Sequence, residues 1–282
     1  MREASRAAAS YSLFTPFHRI NPKTARKSRH LPMIVNPTPT GWQIIYQQAH
    51  ALLAAQLAWA WSPFLPPDRW VGLLAAIAQH DDEQAPWHGR GGHHGLTPAG
   101  APANFTQVAF SHEQALGVLH AARFQGRWRS LLTSLHLSTL YEPMRGGPAH
   151  IDAFLEELRA GQARWTKELH LTKTQARQAY DLLHWADRLS LILCRQELPE
   201  MGREVEISAL PPGHQLHASY VSQPAGPGTP VVVRPWPFAA KELEVSVETQ
   251  ELPRLQFRDD ADLATALRQA PIATLRWTLR AG

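Results

Sequence analysis

Cysteine is almost absent. The chain of 282 residues holds a single one, Cys194, which excludes an intramolecular disulfide and a thiolate-rich zinc site and fits a reducing, cytoplasmic location. Long apolar runs are also missing. The most apolar stretch, 44 to 61, is interrupted by Gln47, Gln48, His50 and Gln56, so no membrane span and no membrane partner are expected. There is no Gly-rich phosphate loop ending in Lys-Ser/Thr, no Gly-x-Ser-x-Gly nucleophile elbow and no His-Glu-x-x-His zinc motif. A broad basic surface is lacking too. The net charge of +4 is concentrated at the start, where residues 1 to 32 carry seven basic side chains against Glu3. The remaining 21 basic and 23 acidic residues give a slightly acidic body, so nucleic acid is not expected as a partner. What is present is core-forming material: 44% of residues are apolar, ten of them Trp.

Residues 1 to 32 read as a disordered basic leader or a misassigned start, with folding expected to begin at Met33. Met33 to Val35 forms a short strand, followed by the turn-rich Asn36 to Gly41. From 42 to about 196 the apolar period is helical. Helices are expected at 42 to 61, 68 to 80, 111 to 124, 127 to 142, 149 to 168 and 173 to 196, with Thr172 and Gln175 in capping-box spacing before the last. A long loop rich in Gly and His fills 83 to 108. After Pro199 the period changes to two. Strands are expected at 205 to 210, 217 to 221, 231 to 234, 243 to 249 and 272 to 279, with a short helix at 259 to 270. The expectation is therefore α+β, with a mainly helical bundle at 33 to 198 as the metal-binding core and a mostly antiparallel, β-rich appendage at 199 to 282 packed on it.

Several polar residues fall where these helices should be apolar. His50 shares a face with Tyr46, Leu53 and Leu57, while His80 follows Leu73, Ala76 and Ile77, with Asp81 beside it. His112 lies with Ala115, Leu116 and Leu119, and His136 between Leu132 and Leu140. Asp187 sits among Tyr180, Leu183, Leu191 and Cys194. A buried carboxylate costs several kcal/mol unless a counter-charge or a metal compensates it. One inward histidine is usually a hydrogen-bonded core residue; four with two carboxylates on successive helices point to a shared ligand. Imidazole and carboxylate donors suit one or two divalent transition metal ions, Fe, Mn, Zn, Ni or Co. Expected metal ligands are His50, His80, Asp81, His112, His136 and Asp187, with His120 as the alternative to His112.

The order His, His-Asp and a later Asp, each on its own helix, resembles the HD superfamily of metal-dependent phosphohydrolases and implies a helical bundle of that type. Met33-Ile34-Val35, Gln48 to Ala51, Ala78 to Asp82, Pro86-Trp87, Gly100 to Phe105, Leu131 to His136, Asp187 to Leu191 and Pro235 to Phe238 are more closely similar to the bacterial family known as domain of unknown function 3891. The HD resemblance implies a small-molecule substrate, phosphorylated in the hydrolase reading. Asp82 or His88 would act as general base, and a second metal would sit on His112 and His136 with Asp81 as bridge. Two other readings stand beside it, a di-iron oxygenase using the same six ligands and a non-catalytic metal-stabilised binding protein. The absence of a recognisable Lys after the His-Asp pair favours hydrolysis. Oligomeric state is open at this level.

Overall fold

The computed structural model describes residues 33–82, 95–107, 112–209 and 218–282. The chain opens with a hairpin, β1 (Met33–Thr38) and β2 (Gly41–Tyr46), turned at Pro39-Thr40 and paired from Met33↔Tyr46 to Thr38↔Gly41. Gly41 is required there, because a Cβ would run into the Leu252 carbonyl of a neighbouring strand. Six helices follow: α1 (Gln47–Trp59), α2 (Pro67–Ala78), α3 (His112–Gln125), α4 (Arg127–Tyr141), α5 (Ala149–Glu168) and α6 (Lys173–Cys194). The chain then returns to strands, with β3 (Val205–Ala209), β4 (Ala218–Ser222), β5 (Val231–Arg234), β6 (Glu242–Leu252), a short α7 (Asp260–Gln269) and β7 (Ile272–Ala281).

All seven strands form one curled mixed sheet in the order β1-β2-β6-β7-β5-β4-β3, antiparallel throughout except for the parallel pair β5 and β7. This corrects the expected fold class. The protein is α+β, but it is not a helical bundle of HD type with a β-rich appendage. The N-terminal hairpin enters the same sheet as the C-terminal strands, through Trp42↔Leu252, Gln43↔Glu251 and Ile44↔Gln250. A single core unites helices and sheet: Leu53 and Leu57 of α1, Leu73 and Ile77 of α2, and Leu183 and Leu189 of α6 pack with Val231, Val233, Val245, Val247 and Leu279. Trp185 of α6 is stitched to β4 by its indole N–H, which donates to Ser219 Oγ at 2.9 Å. A second cluster joins α3, α4 and α5 through Leu119, Leu131, Phe154 and Leu158.

The helix expected at 42 to 61 is two elements. Gly41 to Tyr46 is strand, and the helix proper starts at Gln47. Ile44 and Ile45 are both fully buried, so β2 lacks the alternation of a half-exposed strand and merges by period with the helix behind it. The capping box before α6 is present, with Thr172 Oγ1 accepting from Gln175 N–H and the Gln175 side chain accepting from Thr172 N–H. Asp68 is not the N-cap of α2. Pro66 holds that position and Pro67 begins the helix, where a missing N–H costs nothing. Among the described residues, no helix is long and apolar enough to cross a membrane.

Candidate metal centre

Four elements bring polar side chains to one buried point. His50 comes from the first turn of α1, His80 and Asp81 from the turn directly after α2, His136 from the middle of α4 and Asp187 from the middle of α6. His50 is 1% exposed, His80 6%, His136 3% and Asp187 7%. These are the inward positions expected from helical spacing.

The two nearest histidines are built alike. His50 Nδ1 lies 2.6 Å from the Gln47 carbonyl, and His80 Nδ1 lies 2.6 Å from the Ile77 carbonyl. A carbonyl only accepts, so each Nδ1 carries a proton and donates it to the backbone three residues earlier. This leaves both Nε2 atoms turned toward the same carboxylate oxygen, with Asp187 Oδ1 at 3.3 Å from His50 Nε2 and 3.2 Å from His80 Nε2. The rings meet edge to face at 5.0 Å. Ligand atoms of His50, His80 and Asp187 all lie within 4.8 Å of one another. Asp81 Oδ2 stands 3.5 Å from both His50 Nδ1 and His80 Nε2 and is the most open of the group. His80 also lies just beyond the C-terminal end of α2, where exposed carbonyls favour a cation.

The electrostatics follow from this crowding. Burial opposes charge on His80, but Asp81, Asp187 and the Ile77 carbonyl together outweigh it and push the imidazole up to about 10. Burial likewise opposes the Asp187 carboxylate, and His80 and His50 outweigh it, holding that group well below the usual carboxylate range. His136 goes the other way. Burial and the neighbouring His80 bring it down to about 4, so it is neutral at physiological pH. Its ring is 5.2 Å from that of His80, and its Nδ1 is buried with no hydrogen-bond partner among the described residues. Gln79 Oε1 is also buried without a hydrogen-bond partner among the described residues, whereas His80 Nε2 has Asp187 Oδ1 and Asp81 Oδ2 at 3.2 and 3.5 Å.

His112 has different ring neighbours. It opens α3 with its ring 5.4 Å from His150 and 4.7 Å from Phe154, on the side of the second core cluster, while the alternative His120 is exposed beside Phe124. Of the six expected ligands, His50, His80 and Asp187 form the group whose ligand atoms lie within 4.8 Å of one another among the described residues. Asp82 directly follows the ligand turn, and His88 lies outside the described residues, as do the leader and residues 83 to 94 of the Gly- and His-rich loop.

Two residues escaped the sequence reading. Arg129 of α4 is 5% exposed, donates from Nη2 to the Gln79 carbonyl at 3.2 Å, and also contacts Thr133 Oγ1. Burial lowers its guanidinium to about 10 against the opposing charge of Asp82. Arg129, Thr133 and His136 occupy one stripe of α4 at spacings of four and three, the same signal that located His136. His184, one turn before Asp187 on α6, is half-buried and lowered by burial, and it faces both Asp187 and His136 electrostatically.

A family model described as "Protein of unknown function (DUF3891)" matches residues 33–254, from the first strand through β6. No curated protein and no solved structure matches the chain.

Proposed function

The chain belongs to the DUF3891 family, whose description names no activity, and we propose that it is a metal-dependent hydrolase acting on a small phosphate ester. His50, His80 and Asp187 would hold a divalent transition metal, with nearby Asp81 available as a fourth donor. The observation that carries this reading is the paired imidazole arrangement: both Nδ1–H groups are anchored on helix carbonyls, which orients both Nε2 lone pairs toward one carboxylate. Such anchoring is how a protein fixes the tautomer and direction of a metal-bound histidine.

When bound, the metal supplies a Lewis acid and brings the pKa of a coordinated water toward neutrality. The chain's own residues do the rest. Asp82, next to the ligand turn, accepts a proton from the attacking water. Arg129 remains cationic and holds the Gln79 carbonyl, fixing the backbone of the ligand turn. Neutral His136 presents a ring nitrogen to the same pocket. The order of the His, His-Asp and Asp motifs resembles that of HD-superfamily phosphohydrolases in sequence alone, the fold being different, and a phosphate ester is the substrate class which that order suggests.

Elemental analysis of the purified protein, followed by metal removal and reloading with manganese or ferrous iron, tests the reading. The expected result is about one metal per chain and phosphate release from an aryl phosphate or phosphodiester at the same rate with and without air. Asp187→Asn should hold less than about a tenth of the wild-type metal while remaining folded by circular dichroism. A wild-type protein that takes up no metal sinks the proposal. So does turnover that requires both iron and dioxygen.

A further inference from the structure

We propose that the face formed by α1, α2 and the adjoining edge of β6 binds a second copy of this chain, giving a two-fold dimer. α1 is apolar on both sides. Leu53, Ala54 and Leu57 enter the core, while Leu52, Ala55 and Trp59 point outward, and no residue from Gln47 to Ala60 is charged. Leu52 is 58% exposed, Trp59 69% and Val71 of α2 65%. An ordinary surface helix is polar on its outer side, and a helix apolar all round is a covered helix. These residues are not scattered. Together with Leu74, Ala75, Ala78 and Leu243 they line one groove of about 640 Å³, with Glu244 at its rim. The groove is held in shape by Gln56, whose amide donates to the Ser246 carbonyl at 2.9 Å and accepts from the Ser246 N–H at 3.0 Å.

The neighbouring charges select the occupant. On the outward face of the sheet, exposed Glu242, Glu244 and Glu248 form an acidic row along β6, and exposed Arg276 and Arg280 form a basic row along β7. The rows are adjacent, with Glu242 opposite Arg280 and Ser246 opposite Arg276. A strongly acidic or strongly basic partner meets repulsion from one row. A second copy related by a two-fold axis lays the acidic row of each protomer on the basic row of the other and brings groove against groove, with the large side chains Trp59, Leu52 and Val71 available to fill the mate's concavity. Of the α2 charges, Arg69 reaches away to the Leu169 carbonyl, and exposed Asp68 lies one turn before Val71 at the edge of the face.

Sedimentation equilibrium of the purified full chain over a wide concentration range tests this, independently of the metal reading. The expected result is a reversible monomer–dimer equilibrium that Leu52→Lys or Val71→Lys weakens at least about tenfold, with metal content and far-ultraviolet circular dichroism unchanged. Glu244→Arg and Arg276→Glu should each weaken it, and the two together in one chain should restore it. Hydroxyl-radical footprinting of the unmodified protein gives a readout that does not depend on variants folding: Leu52, Trp59 and Val71 should become protected as concentration rises. A monomer at every concentration overturns the proposal and leaves the groove to a different protein. A dimer that ignores lysine at 52 and 71, with no protection of those side chains, overturns it as well.

Discussion

A proton on His80 and a metal at its Nε2 exclude each other, and this makes the site measurable before any substrate is known. With the imidazole raised to about 10, metal-free protein carries that proton at pH 7.5 and must release it on binding. Calorimetric titration with manganese in buffers of different ionisation enthalpy should therefore report about one proton released per metal; zero release would exclude His80 as a ligand. The pH dependence of metal-free stability has opposite senses at two neighbouring residues. His80 is raised, so its contribution is complete below its unfolded value of 6.5 and disappears as pH climbs through about 10. His136 is lowered to about 4, so between 6.5 and 4 the unfolded chain binds the extra proton and acidification weakens the fold, by on the order of 3 kcal/mol. Denaturant unfolding across that window should show the loss in wild type and much less of it in His136→Gln. Four of the buried site residues were legible in the sequence because a polar residue on an apolar helical face is informative wherever the helix lies. His112 shows the limit of that logic. Its neighbours Ala115 and Leu119 are indeed buried, but in the cluster shared with Phe154 and Leu158, and spacing along one helix does not say which of two cores a face enters.

At the scale of elements, α6 connects the site to the fold. One side offers Asp187 to the ligand cluster, and Trp185 binds Ser219 on β4. Its N-terminal capping box satisfies donors that the first turn leaves free, so Thr172→Ala should cost about 1 kcal/mol and lower the melting temperature by about 2 °C, while Thr172→Ser should not. Metal content at saturation should be unchanged, because the cap is four turns from Asp187. A loss of metal in Thr172→Ala would mean that the helix end and the site are coupled. The boundaries of α3, α4, α5 and α6 were legible to within two residues, and the C-terminal strands nearly so, since period and capping chemistry are local. The pairing of β2 with β6 was not legible. It depends on which strands meet across the intervening helices, and nothing in Gly41 to Tyr46 names Gln250 to Leu252 as its mate.

The whole molecule is closed by its two ends, and dissection tests that directly. A chain starting at Met33 should keep the melting temperature and metal content of the full chain, because the basic, acid-poor sequence before it has no apolar periodicity from which to build a core. A chain ending at residue 198 should fail to fold as a helical unit, since it removes Val231, Val233, Val245, Val247 and Leu279 from the core against which α1 and α6 pack. A soluble, cooperatively melting fragment 33 to 198 that still binds metal would show that the sheet is an appendage after all. The same closure bears on how the protein is made. Gln43 donates to Glu251 across 208 residues of sequence, so the hairpin that begins the fold cannot find its neighbour in the sheet until β6 has left the ribosome. At about 5–20 residues per second that wait is roughly 10–40 s, during which α1 has Leu53 and Leu57 made but no sheet to cover them. Every residue of the proposed site from His50 to Asp187 is synthesised inside that interval, so if the site takes a metal, chaperone occupancy and premature metal capture would compete over the same nascent segment.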